Sequence, residues 1–271
     1  MVRAVVLGAV QGLTEFIPIS SSGHLTIVPF LLGWEHPGLP FDVAIHLGTA
    51  LAVILYFHRE LVALVAGTGK TLLRRGDAND RNHARIALLL FVASIPAGLA
   101  GMLFEGFFEE RFGEARTAGL LLFVTAGLIF GGEAVYRRRD PGVNRDLSRV
   151  GWRDAMLVGL LQACAIFPGI SRSGATIAAG LVTGLARDAA ARFSFLLGLP
   201  AILGAGLLQV PQLPPGMDTG TVVAATAVSA ATGFAAIAFL VRYLRARDMR
   251  PFAWYCVLFG AVALGFWFQV S

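Results

Sequence analysis

The chain has 271 residues, 56% of them hydrophobic and only 14% charged, with a mean hydropathy of +0.71. Soluble domains carry about 25% charged residues, so this composition excludes an ordinary soluble globule and indicates an integral membrane protein. The formal charge of +5 rests on arginines and the single Lys70; in a membrane chain such a balance reports topology, and no nucleic-acid partner is expected.

The first apolar region, 4–34, lacks a basic leader beyond Arg3 and contains Glu15, so it reads as part of the membrane domain and not as a cleaved signal. A polar cluster, Pro-Ile-Ser-Ser-Ser-Gly-His-Leu at 18–25, breaks it near its middle. An apolar stretch at 41–57 follows, with Asp42 at its edge, and then a basic segment at 58–85. Within it, Gly-Thr-Gly-Lys-Thr at 67–71 looks like the end of a phosphate-binding loop. The full motif needs glycine at position 64, where this chain has Leu64, and a preceding strand. The segment is therefore expected to be a cytoplasmic loop without ATP. Apolar stretches at 86–104 and 117–132 flank the acidic connection 105–116. A second interrupted region, 155–186, carries Pro-Gly-Ile-Ser-Arg-Ser-Gly-Ala-Thr at 168–176. Stretches at 193–211, 219–241 and 251 onward complete the chain. About 17–25 apolar residues cross a bilayer as a helix, so six spans are predicted. Cys164 and Cys256 both lie in apolar surroundings and form neither a disulfide framework nor a metal pattern.

The two interruptions are alike. A shift of 151 positions superposes Gln11 on Gln162, Phe16 on Phe167, Ile19 on Ile170, Ser20 on Ser171, Ser22 on Ser173 and Gly23 on Gly174. Those six identities indicate an internal duplication, with halves at approximately 1–136 and 150–271 of a single membrane domain. Loop charge then sets the topology. Segments 58–85, 137–153 and 242–250 hold 16 of the 22 basic residues and are predicted cytoplasmic, whereas 105–116 and 212–218 suit the outside. If 155–186 crossed the membrane, the arginines at 242–250 would fall outside. A re-entrant helix-turn-helix, turning at Ser171–Thr176, keeps every basic loop inside, and the likeness makes 4–34 re-entrant as well. The predicted fold is thus all-α: six transmembrane helices plus two re-entrant hairpins in an inverted-topology repeat, with both termini outside. Non-helical backbone at the two tips must be buried in protein or line a wet cavity.

A helix follows each tip, and helix N-termini present free N–H groups and the positive end of the dipole, an anion site. Ser171, Arg172, Ser173, Gly174 and Thr176 are candidate phosphate binders, with Arg172 the charged donor. Glu15 is the acidic misfit. It lies four residues after Gln11, on the same helix face, and an acid beside phosphate implies a bridging divalent cation held by Glu15 and assisted by Gln11. A metal-free Glu15–Arg172 pair is the simpler alternative. Ser21 and His24 are three apart and could serve as nucleophile and general base. Caps explain Ser20 and Ser22 more simply, and His46 and Glu133 read as interhelix hydrogen-bonding or span-end residues. A secondary transporter built on the same plan, such as an isoprenyl-phosphate flippase or an anion transporter, is the rival class. A purely structural scaffold would leave these polar residues without purpose.

Gln-Gly-Leu-Thr-Glu-Phe at 11–16, followed by the Ser-Gly-His segment, resembles the acidic motif [E/Q]-x-x-x-E of the undecaprenyl-diphosphate phosphatases, the bacitracin-resistance family. Residues 168–176 resemble that family's second motif, Pro-Gly-x-Ser-Arg-Ser-Gly-x-Thr, and 41–49 and 193–200 extend the likeness over the whole chain. Gln11 takes the neutral alternative at the first acidic position, which shifts weight to Glu15. The resemblance implies a bacterial cell-membrane enzyme that removes the terminal phosphate of a polyisoprenyl diphosphate lipid, with Mg²⁺ or Ca²⁺ and an active site open to the outer face. Carried onto this chain, Glu15, Ser21, His24 and Arg172 would be the catalytic residues.

Overall fold

The computed structural model describes residues 1–112, 114–140, 144–213 and 217–270, with side chains outside 104–112. Eleven α-helices appear among them: α1 (Val2–Phe16), α2 (Ser21–Leu32), α3 (Leu39–Tyr56), α4 (His58–Leu72), α5 (Ala78–Phe112), α6 (Ala115–Arg137), α7 (Trp152–Cys164), α8 (Arg172–Thr183), α9 (Arg187–Gln209), α10 (Thr219–Leu244) and α11 (Arg250–Val270). Six are long and apolar enough to cross a membrane: α3, α5 over Ala78–Leu103, α6, α9, α10 and α11. These are the six predicted stretches. The protein is apolar outside as well as inside, with large residues such as Phe91, Leu207, Val223 and Leu258 mostly exposed on its outer surface around a core that includes Phe57, Leu89 and Phe193.

The interrupted regions fold as two helical hairpins. Helices α1 and α2 have 15 and 12 residues, α7 and α8 have 13 and 12. At 1.5 Å per residue each reaches only about 20 Å, short of a ~30 Å hydrocarbon core. Pro18 follows directly on the C-cap of α1, Pro168 lies within the turn after α7, and a serine, Ser20 or Ser171, caps the second arm by accepting from the N–H three residues on. The second turn spans 165–171, earlier than Ser171–Thr176, because Arg172 already opens α8 and Thr176 sits inside it.

The arms pack reciprocally. Helix α1 lies along α10, and α7 along α5. Both approaches use glycine: a methyl on Gly8 would come within 2.2 Å of the Ala225 carbonyl oxygen, and one on Gly159 within 2.5 Å of the Ala93 carbonyl oxygen. These two glycines are themselves 151 positions apart, a further coincidence at the same shift. Small residues at such crossings let helix backbones touch where lipid offers no hydrophobic drive for association. Helices α3 and α9 face each other across the centre, and α6 pairs with α11. Phe16, fully buried, meets Phe195 of α9 edge-on at 5.1 Å.

One expectation is corrected. Residues 58–72 are not a loop but the helix α4, so Gly-Thr-Gly-Lys-Thr lies on a helix end. The segment is amphipathic, with Leu64 and Gly67 buried on one face, and Gly67 lets α4 close against Asp80 and His83 of α5. Lys70 pairs with Asp80 at 3.2 Å. Leu64 is needed for that packing, which is why the missing glycine of a phosphate loop is no accident of sequence.

The base of the second hairpin is pinned by arginines. Arg145 makes a bidentate pair with Asp154 at 2.9 and 2.7 Å and donates to the Thr183 carbonyl at 2.7 Å, while Arg139 donates to the Val182 carbonyl. The last carbonyls of α8 are thereby satisfied by cations at the negative end of the helix dipole. Glu133, buried in α6, accepts from Arg187 at 2.8 and 2.6 Å and from the Met249 N–H at 2.9 Å, in keeping with the interhelix role expected of it.

Candidate active site

The two hairpin tips touch. Gly23 of one stands against the Gly169 backbone of the other, and Ser173 Oγ lies 3.4 Å from the Ile17 carbonyl. The cap hydroxyls repeat each other: Ser20 Oγ is 3.3 Å from Ser22 Oγ, and Ser171 Oγ is 3.2 Å from Ser173 Oγ. The tips differ in how they turn. In the second, Gly169 takes φ +104°, and the buried Thr125 hydroxyl of α6 donates to its carbonyl at 2.8 Å while accepting from the Ser171 N–H at 2.9 Å. In the first, the strained residue is Ser20 itself, at φ +69° without being glycine. Such a conformation costs about 1–3 kcal/mol and persists only where the surroundings enforce it. It aims the Ser20 carbonyl at His24.

Glu15 is the hub. It is 6% exposed in a body made mostly of apolar side chains. Its Oε2 accepts from Gln11 Nε2 at 2.9 Å and from Ser21 Oγ at 2.5 Å, and its Oε1 accepts from Arg172 Nη2. Four of the sequence-predicted residues, drawn from both tips, thus meet on one carboxylate. Burial of an unpaired carboxylate is prohibitive, so the guanidinium and the hydroxyl are what permit Glu15 to be ionised there. Arg172 reaches it by lying across Gly198 of α9: a side chain on Gly198 would begin 1.3 Å from Arg172 Nη1. That Nη1 is buried and makes no hydrogen bond among the described residues, and the same holds for Gln11 Oε1. A buried donor and a buried acceptor left open beside one carboxylate are places where a ligand belongs.

Two predicted residues are placed elsewhere. His24 is 3% exposed, with Nδ1 2.7 Å from the Ser20 carbonyl and Nε2 2.8 Å from the Tyr255 hydroxyl of α11. A carbonyl only accepts, so Nδ1 carries the proton, and the neutral ring spends its lone pair on Tyr255. Its ring is stacked with Phe259 at 4.5 Å. Its hydrogen bonds are thus to Ser20 and Tyr255, and Ser21 donates instead to Glu15. Thr176 bonds back to the Arg172 carbonyl at 2.7 Å and pairs with Ser194 of α9 at 2.6 Å, so its hydroxyl ties α8 to α9. Ser171, Ser173 and Gly174 form the first turn of α8 as expected. The Gly174 N–H is taken by Ser171 Oγ at 3.0 Å, and those of Arg172 and Ser173 have no intrahelical acceptor.

Three contributors escaped the sequence reading. Thr125 and Tyr255 lie in apolar spans where only tertiary contact gives them a partner. His46 of α3 had been read as structural, yet its Nε2 lies 3.5 Å from Glu15 Oε2. No sequence signal singled it out, since the group that accepts from Nδ1 at 2.7 Å is the backbone carbonyl of Asp42, which a helix offers four residues back whatever the residue type.

The profile of the bacitracin resistance protein BacA family matches residues 4–262. Among similar proteins, an undecaprenyl-diphosphatase of Thermomicrobium roseum is 43% identical over 270 residues, covering 97% of this chain and 96% of the relative. One from Alcanivorax borkumensis is 42% identical over 268 residues, 98% of each chain. One from Pelotomaculum thermopropionicum is 40% identical over 262 residues, 97% of this chain and 95% of the relative.

Proposed function

This chain belongs to the bacitracin resistance protein BacA family, and from that premise we propose that it is a membrane phosphatase. It hydrolyses undecaprenyl diphosphate to undecaprenyl phosphate and inorganic phosphate, recycling the lipid carrier for cell-wall synthesis. The observation that carries the reading is the hub at Glu15, where one buried carboxylate holds a hydroxyl from the first tip and a guanidinium from the second.

Ser21 is the nucleophile of this proposal. Its Oγ attacks the terminal phosphorus as its proton passes to Glu15 Oε2, 2.5 Å away. The bond to the bridging oxygen breaks and undecaprenyl phosphate departs with the electron pair. Water then attacks the phosphoserine, and Ser21 recovers its proton as phosphate leaves. Glu15 takes the place of His24 as base because it is the group the Ser21 hydroxyl touches. Arg172, with the open N–H groups of Arg172 and Ser173 and the hydroxyls of Ser171 and Ser173, stabilises charge on the transferring phosphoryl oxygens. Nη1, without a hydrogen bond among the described residues, is placed to donate to those oxygens. His24 and Thr176 position the tips, and Gly174 admits close backbone approach.

The residues present fit a divalent cation, Mg²⁺ or Ca²⁺. Gln11 Oε1 is a buried carbonyl oxygen without a donor, next to the carboxylate of Glu15. Bound there, the ion would offset the repulsion between carboxylate and diphosphate and draw charge from the phosphate oxygens.

We also infer an orientation. Both termini face outside, the hairpins enter from opposite faces as inverted halves 1–136 and 150–271, and the site opens to the outer leaflet. The reciprocal packing of α1 on α10 and α7 on α5 supports the inversion.

The test is phosphate release from a polyisoprenyl diphosphate by purified protein in detergent, where transport has no meaning. Wild type should release phosphate, lose activity in EDTA and regain it with Mg²⁺ or Ca²⁺. Glu15→Ala and Arg172→Ala should not release phosphate. A wild type that is folded and releases none would instead support the transporter reading.

A further inference from the structure

We propose that His46 is a third ligand of the divalent cation, giving this site a nitrogen donor beside the oxygens of Glu15 and Gln11. The proposal rests on the cation reading above and deepens it. Three observations carry it. The first is how the ring is held. His46 Nδ1 lies 2.7 Å from the Asp42 carbonyl, which can only accept, so Nδ1 carries a proton and Nε2 is the ring nitrogen left to face the site. A ring nitrogen fixed by donation of its other N–H to a backbone carbonyl is the arrangement that metal-binding histidines use.

The second is what Nε2 faces. Nε2 is 3.5 Å from Glu15 Oε2. Either a proton on Nε2 or a shared cation reconciles an imidazole nitrogen with a carboxylate oxygen at this separation, and the proposal is the cation. The separation suits a shared ion: bonds of about 2.1–2.4 Å at right or tetrahedral angles put neighbouring donors about 3.0–3.9 Å apart. The third is the orphaned Gln11 Oε1, whose amide nitrogen is bonded to the same Glu15 oxygen at 2.9 Å. The side chains of Gln11 and His46, from α1 and α3, thus both approach the same Glu15 oxygen. The His46 side chain is 23% exposed against 4% for Glu15, so an ion can enter past it.

An imidazole ligand changes which ion the site favours. All-oxygen sites suit Mg²⁺ and Ca²⁺, whereas nitrogen raises affinity for first-row transition ions. With His46 in place the site should bind Mn²⁺ more tightly than Mg²⁺ or Ca²⁺.

Mn²⁺ is the probe, followed by pulsed electron paramagnetic resonance on the purified full-length protein in detergent. The bound ion should show coupling to a directly ligated ¹⁴N nucleus. Protein grown with ¹⁵N-histidine should replace that coupling with its ¹⁵N counterpart, which needs no substitution and so no assumption about folding. His46→Gln should abolish the coupling and weaken Mn²⁺ binding by about tenfold. Bound Mn²⁺ without nitrogen coupling, or coupling that persists in His46→Gln, overturns the proposal and leaves Glu15 and Gln11 as ligands. A wild type that binds no Mn²⁺ and works in EDTA removes the cation reading itself.

Discussion

At the residue scale the site turns on one carboxylate with too many partners for a structural ion pair. A Glu15–Arg172 bridge alone would need no hydroxyl and no amide, yet Ser21 and Gln11 both donate to the same carboxylate. Glu15→Gln keeps the shape and removes the charge and the proton acceptor. It should lower kcat by about 100- to 10,000-fold in the phosphate-release assay. Arg172→Lys keeps the charge and loses the planar fork, and about 100-fold is expected from it. Ser21→Ala should abolish an acid-stable phosphoserine that denatured wild type yields after a brief exposure to substrate; full activity in that variant would transfer the attack to water. His24 predicts differently. Tyr255→Phe keeps the stack and deletes the hydroxyl that satisfies His24 Nε2, so it should reduce stability by about 1–3 kcal/mol, read as a lower thermal midpoint, with a smaller effect on kcat.

At the scale of elements, the hairpins are held by close backbone contacts and by a few buried hydroxyls. Thr125 is the clearest. Its one hydroxyl serves a carbonyl and an N–H on either side of the second turn. Thr125→Val is nearly isosteric and leaves both groups buried without a partner. About 2–4 kcal/mol of destabilisation is expected, and activity should fall because Arg172 follows directly on Ser171. Gly198 makes room for the Arg172 guanidinium. Gly198→Ala meets the far end of the flexible Arg172 side chain, so the fold should hold while kcat falls, and Gly198→Leu should lower kcat further. The predicted spans were legible because a run of apolar residues has one solution in a bilayer. The helix breaks were legible through proline, serine and glycine at the two turns. Helix α4 was not, since its basic residues and paired glycines read as loop until α5 is present to cover Leu64 and Gly67.

For the whole molecule, the proposed topology puts three basic segments on one face and two connections on the other, which thiol labelling can test. In a background with Cys164→Ser and Cys256→Ala, a cysteine at Asp218 should react with a membrane-impermeant maleimide added to intact cells. Cysteines at Arg74 and Arg247 should react only after the membrane is permeabilised. Labelling of Arg247→Cys from outside would mean that 155–186 crosses the bilayer and would end the inverted-repeat reading. Sequence by itself determined the membrane setting, the six spans, the two broken regions and most of the polar residues that meet between them. Each of these follows from composition, run length or local backbone chemistry, which act along the chain. Tertiary structure decided who touches whom. It gave Ser21 to Glu15 and His24 to Tyr255, brought His46 into the site from α3, and tied Thr176 to Ser194. Those choices depend on how helices distant in sequence approach and rotate about their axes, and a hydroxyl or an imidazole bonds whichever partner that packing sets within about 3 Å.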